Sequence, residues 1–150
     1  MAKGKGGKAA PAPAAPRSGR ADLGLLVIRV GLGLMFVFHG APKLMSGPDG
    51  WARLGKAMGY LGVDEYPVVW GAAAAIAESV GGLMLALGLL TRPWLFLLLC
   101  TMVVAATQHL MKGEGLKAAS HAIEVGVVFF GLLLIGPGAH SLDARWRGKT

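Results

Sequence analysis

The segment VVWGAAAAIAESVGGLMLALGLL, residues 68–90, is almost entirely apolar and carries one charged side chain, Glu78. An α-helix needs about 20 predominantly apolar residues to cross the hydrocarbon core of a bilayer. This segment is therefore typical of a transmembrane helix. Within it, Gly71, Ala75 and Ser79 recur at a four-residue spacing, which lets membrane helices approach one another closely. The spacing predicts tight helix packing along this span.

The composition of the whole chain extends this interpretation. Of its 150 residues, 54% are hydrophobic and only 15% are charged, against about 25% charged in a typical soluble domain. The residues of low charge fall into four blocks, each long enough to span a bilayer once its interfacial flanks are included. The sequence predicts an all-α integral membrane four-helix bundle whose spans centre on residues 23–38, 68–90, 93–106 and 122–135.

The two ends of the chain differ from the apolar middle. Residues 1–20 consist mainly of Lys, Gly, Ala and Pro and have little to bury, so we expect a disordered basic tail. Residues 21–144 form the predicted membrane domain, and residues 145–150 form a second basic tail. The first span follows the basic tail but leads into HGAPK rather than a small-residue cleavage site, so we expect it to be retained in the membrane. Basic clusters beside a span attract anionic lipid headgroups, which makes lipid rather than nucleic acid the expected partner.

The distribution of basic residues predicts the orientation. An even number of spans places both termini on one side, with nine basic residues there and five on the other. The two sets are Lys3, Lys5, Lys8, Arg17, Arg20, Arg92, Arg145, Arg147 and Lys149 against Lys43, Arg53, Lys56, Lys112 and Lys117. Because cytoplasmic loops carry the excess of Lys and Arg, we expect a multi-pass cell-membrane protein with both termini cytoplasmic.

The loop after the first span also contains a pattern. Four apolar residues recur at helical spacing, with two basic residues off that face: Trp51, Leu54, Met58 and Leu61 against Arg53 and Lys56. This predicts a short amphipathic helix in the first outer loop, lying in the interface. A loop packed over the end of the bundle is the alternative.

Two opposite charges lie within the predicted spans. Arg29 and Glu78 each fall about 11 residues, or roughly 16 Å, from the outer ends of the first and second spans. Charges at such depth are strongly disfavoured unless they are paired, so we expect an intramembrane Arg29–Glu78 ion pair. The pair would either hold two helices in register or form part of a proton-relay element.

A second polar set gathers near the outer face, on spans one, three and four. It comprises His39, Lys43, Gln108, His109, His121 and Glu124. These side chains could hold a quinone headgroup, with a metal ion or haem as a less favoured ligand, or they could be interfacial residues that reach towards water. No motif enforces a metal site. The only cysteine, Cys100, has no partner for a disulfide, and no hydrolytic triad or carboxylate pair is visible.

Three stretches together resemble a known family. RVGLGLMFVFHGAPKL (residues 29–44), AESVGGLMLALGLLTR (77–92) and GPGAHSLD (136–143) resemble, in order, the recurrent motifs of the DoxX/DoxD family of small four-span membrane proteins. By that resemblance the motif positions are Arg29, His39, Gly40, Lys43, Glu78, Gly82, Gly88 and Asp143. Independently of the family, Asp143 is expected to cap the turn that follows residues 136–141.

The resemblance implies a membrane role rather than a defined reaction. The family takes its name from a subunit associated with quinone-linked sulfur oxidation, and some relatives are linked to thiol-oxidative stress. The first hypothesis is therefore an accessory, quinone-interacting subunit of a membrane oxidoreductase system, working with a redox enzyme partner or as a homo-oligomer. A small transporter or proton conduit that uses Arg29 and Glu78 is the second. The third is a structural or assembly protein with no chemistry of its own.

Overall fold

A computed structural model describes residues 19–148, apart from the side chain of Arg147. Positions 1–18 of the predicted disordered tail therefore lie outside the described residues, as do residues 149 and 150. The elements in chain order are α1 (Gly19–Met45), α2 (Gly47–Gly55), a 3₁₀ helix (Lys56–Leu61), α3 (Pro67–Leu87), α4 (Thr91–Met111), α5 (Gly115–Ile135) and α6 (Leu142–Arg147).

Four of these helices are long and apolar enough to cross a membrane. They are α1, α3, α4 and α5, with mean hydropathies between 1.6 and 2.0 over their most apolar windows. No strand occurs between residues 19 and 148. The predicted all-α, four-span bundle is confirmed. We call the end that holds Gly19, the α3–α4 turn and α6 the terminal end, and the opposite end the loop end.

The helices extend further than the apolar blocks predicted. The first block ended at residue 38, but α1 continues through Pro42 to Met45, and α5 begins at Gly115 rather than near residue 122. Backbone groups near a bilayer are best satisfied within a helix, so polar flanking residues remain helical. Arg20 lies in the first turn of α1, and Arg145 lies in α6.

Glycines bring α1 and α3 into close contact. A Cβ added at Gly40 would lie 2.5 Å from the backbone nitrogen of Ser79, and one at Gly33 would lie 2.5 Å from the carbonyl oxygen of Gly82. The small residues predicted to pack are indeed buried, with Ala75 fully so. The register of α1 against α3 is therefore set by backbone contact, with Gly40 level with Ser79.

The four spans follow the order α1, α3, α4, α5 around the bundle. The α1 helix packs mainly on α3, and α4 packs on both α3 and α5. Direct contact between α1 and α5 is sparse and includes Phe36 and Phe129, whose ring centroids lie 5.0 Å apart. The core is completed by Leu85, Leu95 and Leu98, all fully buried.

The first loop is helical, as predicted, but it packs against α3. A Cβ at Gly71 of α3 would collide with the carbonyl of Trp51 in α2, and one at Gly55 would collide with the carbonyl of Pro67. The indole Nε1 of Trp51 donates a hydrogen bond of 3.0 Å to the carbonyl of Lys43. The α2 helix and the 3₁₀ helix therefore cover the loop end of α3.

Candidate ligand-binding site

An ion pair links α1 to α3 inside the loop half of the bundle, but it is not the predicted pair. The Nζ of Lys43 donates to both carboxylate oxygens of Glu78, at 2.8 Å and 2.6 Å. The side chain of Glu78 is 6% exposed and that of Lys43 is 39% exposed. The prediction that Glu78 pairs with Arg29 was wrong, because α1 continues beyond Gly40 and brings Lys43 within reach.

Arg29 lies nearer the terminal end and is also buried, with 1% exposure. Its Nη2 donates to the carbonyl of His140 at 2.9 Å, and its Nη1 donates to the carbonyl of Leu85 at 3.5 Å. Gly88, in the left-handed region with a φ of 69°, leaves room for the guanidinium, which a Cβ there would strike. Arg29 thus joins α1, the end of α3 and the segment after α5.

Asp143 extends this terminal network. Its carboxylate accepts hydrogen bonds from the backbone nitrogens of Leu90 and Thr91, at 2.8 Å and 2.9 Å. It therefore satisfies amide groups at the start of α4, which α-helices leave unpaired. The predicted cap on the turn after residues 136–141 is formed instead by Ser141, whose Oγ accepts from the backbone nitrogen of Ala144. The motif positions Arg29, Gly88 and Asp143 hold the terminal end together.

A cavity of about 640 Å³ lies in the loop half of the bundle, beside the ion pair. Its walls come from α3 and α4, and residues of α2 and the 3₁₀ helix, among them Leu54 and Met58, also line it. Leu97 and Val103 line the cavity and are 44% and 53% exposed. The cavity is therefore open to the outside of the bundle and is not a sealed void.

The run of alanines in α3 accounts for the empty space. Trp70, Ala73, Ala74 and Ala77 follow one another at helical spacing and line the cavity. Three methyl-sized side chains on the face that meets α4 leave a volume that larger side chains would fill. Small residues therefore occupy two faces of α3. Residues 71, 75 and 79 pack inside the protein, whereas residues 73, 74 and 77 line the cavity.

The polar groups of the cavity form a small subset of its lining. Lys43 and Glu78 contribute the ion pair, Gln108 and His109 contribute an amide and an imidazole, and Cys100 and Thr101 contribute a thiol and a hydroxyl. Ligand sites are commonly apolar cavities of about 300–1,000 Å³ with a few polar groups that orient the ligand. Three of the six predicted ligand-binding residues, namely Lys43, Gln108 and His109, thus come together.

The other three predicted residues do not join this site. His39, His121 and Glu124 are exposed on the outer surfaces of α1 and α5. The expectation that all six side chains would converge was wrong, because α1 and α5 barely touch and these residues lie off their inward faces. No group of three His, Cys, Asp or Glu side chains within residues 19–148 is arranged to hold a metal ion.

His109 has an acidic neighbour at the loop end. Its Nδ1 contacts a carboxylate oxygen of Glu114 at 2.5 Å, in the turn between α4 and α5. The hydrogen bond with His109 lowers the pKa of the Glu114 carboxyl. His109 also lines the cavity, and the contact with Glu114 uses its Nδ1 and not its Nε2.

Comparisons with known proteins agree with this architecture. The model of the DoxX family matches residues 24–111, which cover α1 to α4. The chain belongs to the DoxX family and is a four-span integral membrane protein. It is similar to the inner membrane protein YphA of Escherichia coli strain K12, with 29% identity over 129 residues, covering 81% of this chain and 89% of that protein. No solved structure matches the chain.

Proposed function

We propose that the chain binds an amphipathic molecule of the quinone class in the cavity between α3 and α4, as an accessory subunit of a membrane oxidoreductase system. The observation that carries the proposal is an apolar cavity of about 640 Å³ that is open to the outside of the bundle and has the partly buried Lys43–Glu78 ion pair in its wall. An apolar tail and a polar ring are the two parts of a ligand that such a site accommodates.

The ion pair supplies a donor for a carbonyl oxygen. An ammonium group has three N–H donors, and two of those of Lys43 are directed at Glu78. The third is available to a quinone carbonyl at the cavity wall. Glu78, which is nearly enclosed, balances the charge of Lys43, so the ammonium can remain in an apolar setting.

The second carbonyl of a quinone lies on the opposite side of its ring. Gln108 and His109 line the same cavity from α4, and either can donate a hydrogen bond to it. The apolar side chains between these groups and the open wall would contact the ring and the first part of an isoprenoid tail. The single thiol, Cys100, provides no dithiol couple, so we assign electron transfer to a partner enzyme.

Trp70 allows binding to be measured directly, since it lines the cavity and quinones quench indole fluorescence on contact. The purified protein in lipid nanodiscs is titrated with decylubiquinone, a short-chain benzoquinone. We expect saturable quenching that is largely lost in Trp70→Phe. Ala74→Phe, which places a ring in the cavity, should weaken binding at least tenfold.

Leu83→Phe is the matched control, because Leu83 lies on the same helix, is 45% exposed and does not line the cavity. It should bind the quinone as the wild type does. Equal quenching in the wild type, Ala74→Phe and Leu83→Phe would reject the site and would favour a purely structural role. The proton-conduit hypothesis loses its main support, because Arg29 and Glu78 have separate partners.

The same proposal includes a location. We place the protein in the inner membrane, as the name of the Escherichia coli relative states for that protein, with the terminal end in the cytoplasm. Arg92 and Arg145 lie at that end and add to the basic residues that favour the cytoplasmic side. Basic side chains at that end would also attract anionic lipid headgroups.

A further inference from the structure

The outward face of α5 carries polar residues where a lipid-facing helix is normally apolar. Lys117, His121, Glu124 and Val128 follow one another at spacings of four, three and four residues, and all are exposed. We call these four residues the α5 stripe. The inward face of the same helix holds Ala122 and Phe129, which are buried. The stripe thus points away from the protein's own core.

Glu124 lies more than two turns inside the α5 helix. It comes nine residues after Gly115, the first residue of the 21-residue α5 helix, or about 14 Å from the loop end at 1.5 Å per residue. The α5 helix is one of the four helices able to span the membrane, so its outward face meets lipid unless a partner covers it. Polar and ionisable groups inside a membrane almost always face protein or a water-filled cavity.

Nothing in the described part of the chain covers these groups. Neither His121 nor Glu124 forms a hydrogen bond or ion pair there. The α4 helix packs on the opposite flank of α5, near Gly126, where a Cβ would lie 3.5 Å from Met102. Contact between α5 and α1 is sparse and includes Phe129. A surface that the fold leaves open at this depth calls for a partner within the bilayer.

The stripe is complementary to itself. It holds an imidazole and a carboxylate one turn apart on one face, so it offers both members of a hydrogen-bonded pair. A twofold axis along the membrane normal would place two such stripes together, as in isologous dimers. His121 of each chain would then lie about 4.5 Å in depth from Glu124 of the other, within reach of a diagonal side-chain hydrogen bond that forms twice. Gly131, one turn beyond Val128, has open space where a Cβ would be and permits close approach.

We propose that the α5 stripe is a homodimer interface, in which His121 of each chain hydrogen-bonds Glu124 of its partner within the membrane. A different protein would have to supply its own donor and acceptor at matching depths, whereas a second copy supplies both. The interface is independent of the cavity, since no residue of α5 lines it.

Disulfide crosslinking in native membranes tests the geometry. In a Cys100→Ala background, Val128→Cys lies on the stripe. Phe130→Cys, at almost the same depth and 52% exposed, points about 200° away around the helix. We expect copper phenanthroline to produce a dimer from Val128→Cys and little or none from Phe130→Cys. Equal crosslinking of the two variants, or none from Val128→Cys, would overturn the proposal.

A charge-swap experiment tests the chemistry. We expect His121→Glu to shift the dissociation constant, measured by energy transfer between labelled chains in liposomes, at least tenfold towards monomer, because carboxylates would then oppose one another. Adding Glu124→His to the same chain exchanges the two groups and should restore the dimer. A wild type that stays monomeric at high protein-to-lipid ratios, or a double variant no better than the single one, would contradict the pairing.

Discussion

Replacing Lys43 with methionine removes the cation that neutralises Glu78 and leaves the methylene stem's volume largely in place. Breaking a buried ion pair by removing one partner costs about 3–5 kcal/mol, whereas exposed pairs contribute about 0.2–1 kcal/mol. Glu78 is 6% exposed and Lys43 39% exposed, so the pair lies nearer the buried limit. We expect Lys43→Met to lower the free energy of unfolding by about 2–3 kcal/mol, between those two ranges.

Reversible unfolding in mixed detergent micelles measures this change. Adding Glu78→Met to Lys43→Met removes the uncompensated carboxylate, so the double variant should recover most of the loss. Lys56→Met is the control, because Lys56 is an exposed lysine at the same end of the bundle. The reasoning is refuted if Lys43→Met unfolds like the control, or if the double variant is as unstable as the single one.

Two further predictions concern the ends of the bundle. Gly88→Ala should destabilise the fold by more than about 1 kcal/mol, since its Cβ would collide with Arg29 in a left-handed backbone conformation. The same unfolding assay measures this change. Gly113→Ala is the control and should lose less stability, because Gly113 is also left-handed but has open space around it. His109→Ala should raise the pKa of Glu114 towards its ordinary value of 4.5, because the hydrogen bond with His109 lowers it. A carbon-13 titration of Glu114 follows that change. In the wild type the lowered pKa stabilises the fold above pH 4.5 and the effect is lost as the pH falls below it. An unchanged Glu114 titration in His109→Ala would contradict the assignment.

The four spans could be predicted from the sequence because the bilayer imposes length and apolarity on each helix. Residues 68–90 predicted α3 to within three residues at either end. The loop helix was also predictable, since Trp51, Leu54 and Met58 recur at helical spacing. These features depend on composition along one element, which the sequence states directly.

Contacts between elements were harder to predict. The prediction that Arg29 and Glu78 lie at equal depth depended on where each span was taken to end. Because α1 extends to Met45, Glu78 pairs with Lys43 instead. Register between helices depends on where Gly33 and Gly40 meet α3, which no property of a single helix specifies. With Gly40 level with Ser79, Arg29 lies beside Gly88 at the other end of α3 and far from Glu78.

The sequence also contains a signal for the cavity, namely the extra small residues of α3. The alanines at 73, 74 and 77 lie beside the packing positions 71 and 75 on the same helix. A long run of small residues provides more free surface than one helix contact needs. Which face remains open depends on how α4 and the 3₁₀ helix approach α3, so the volume becomes visible only in three dimensions.

Photo-crosslinking with an azido-quinone in membranes tests the central claim most directly. Mass spectrometry of the labelled protein should place the label on the cavity-lining part of α4, residues 97–109, and on residues 54–61 of the first loop. An excess of unmodified quinone and the Ala74→Phe change should each abolish that labelling. Label spread evenly over the lipid-exposed surface of α1 and α5, and unaffected by Ala74→Phe, would contradict a quinone site in this cavity.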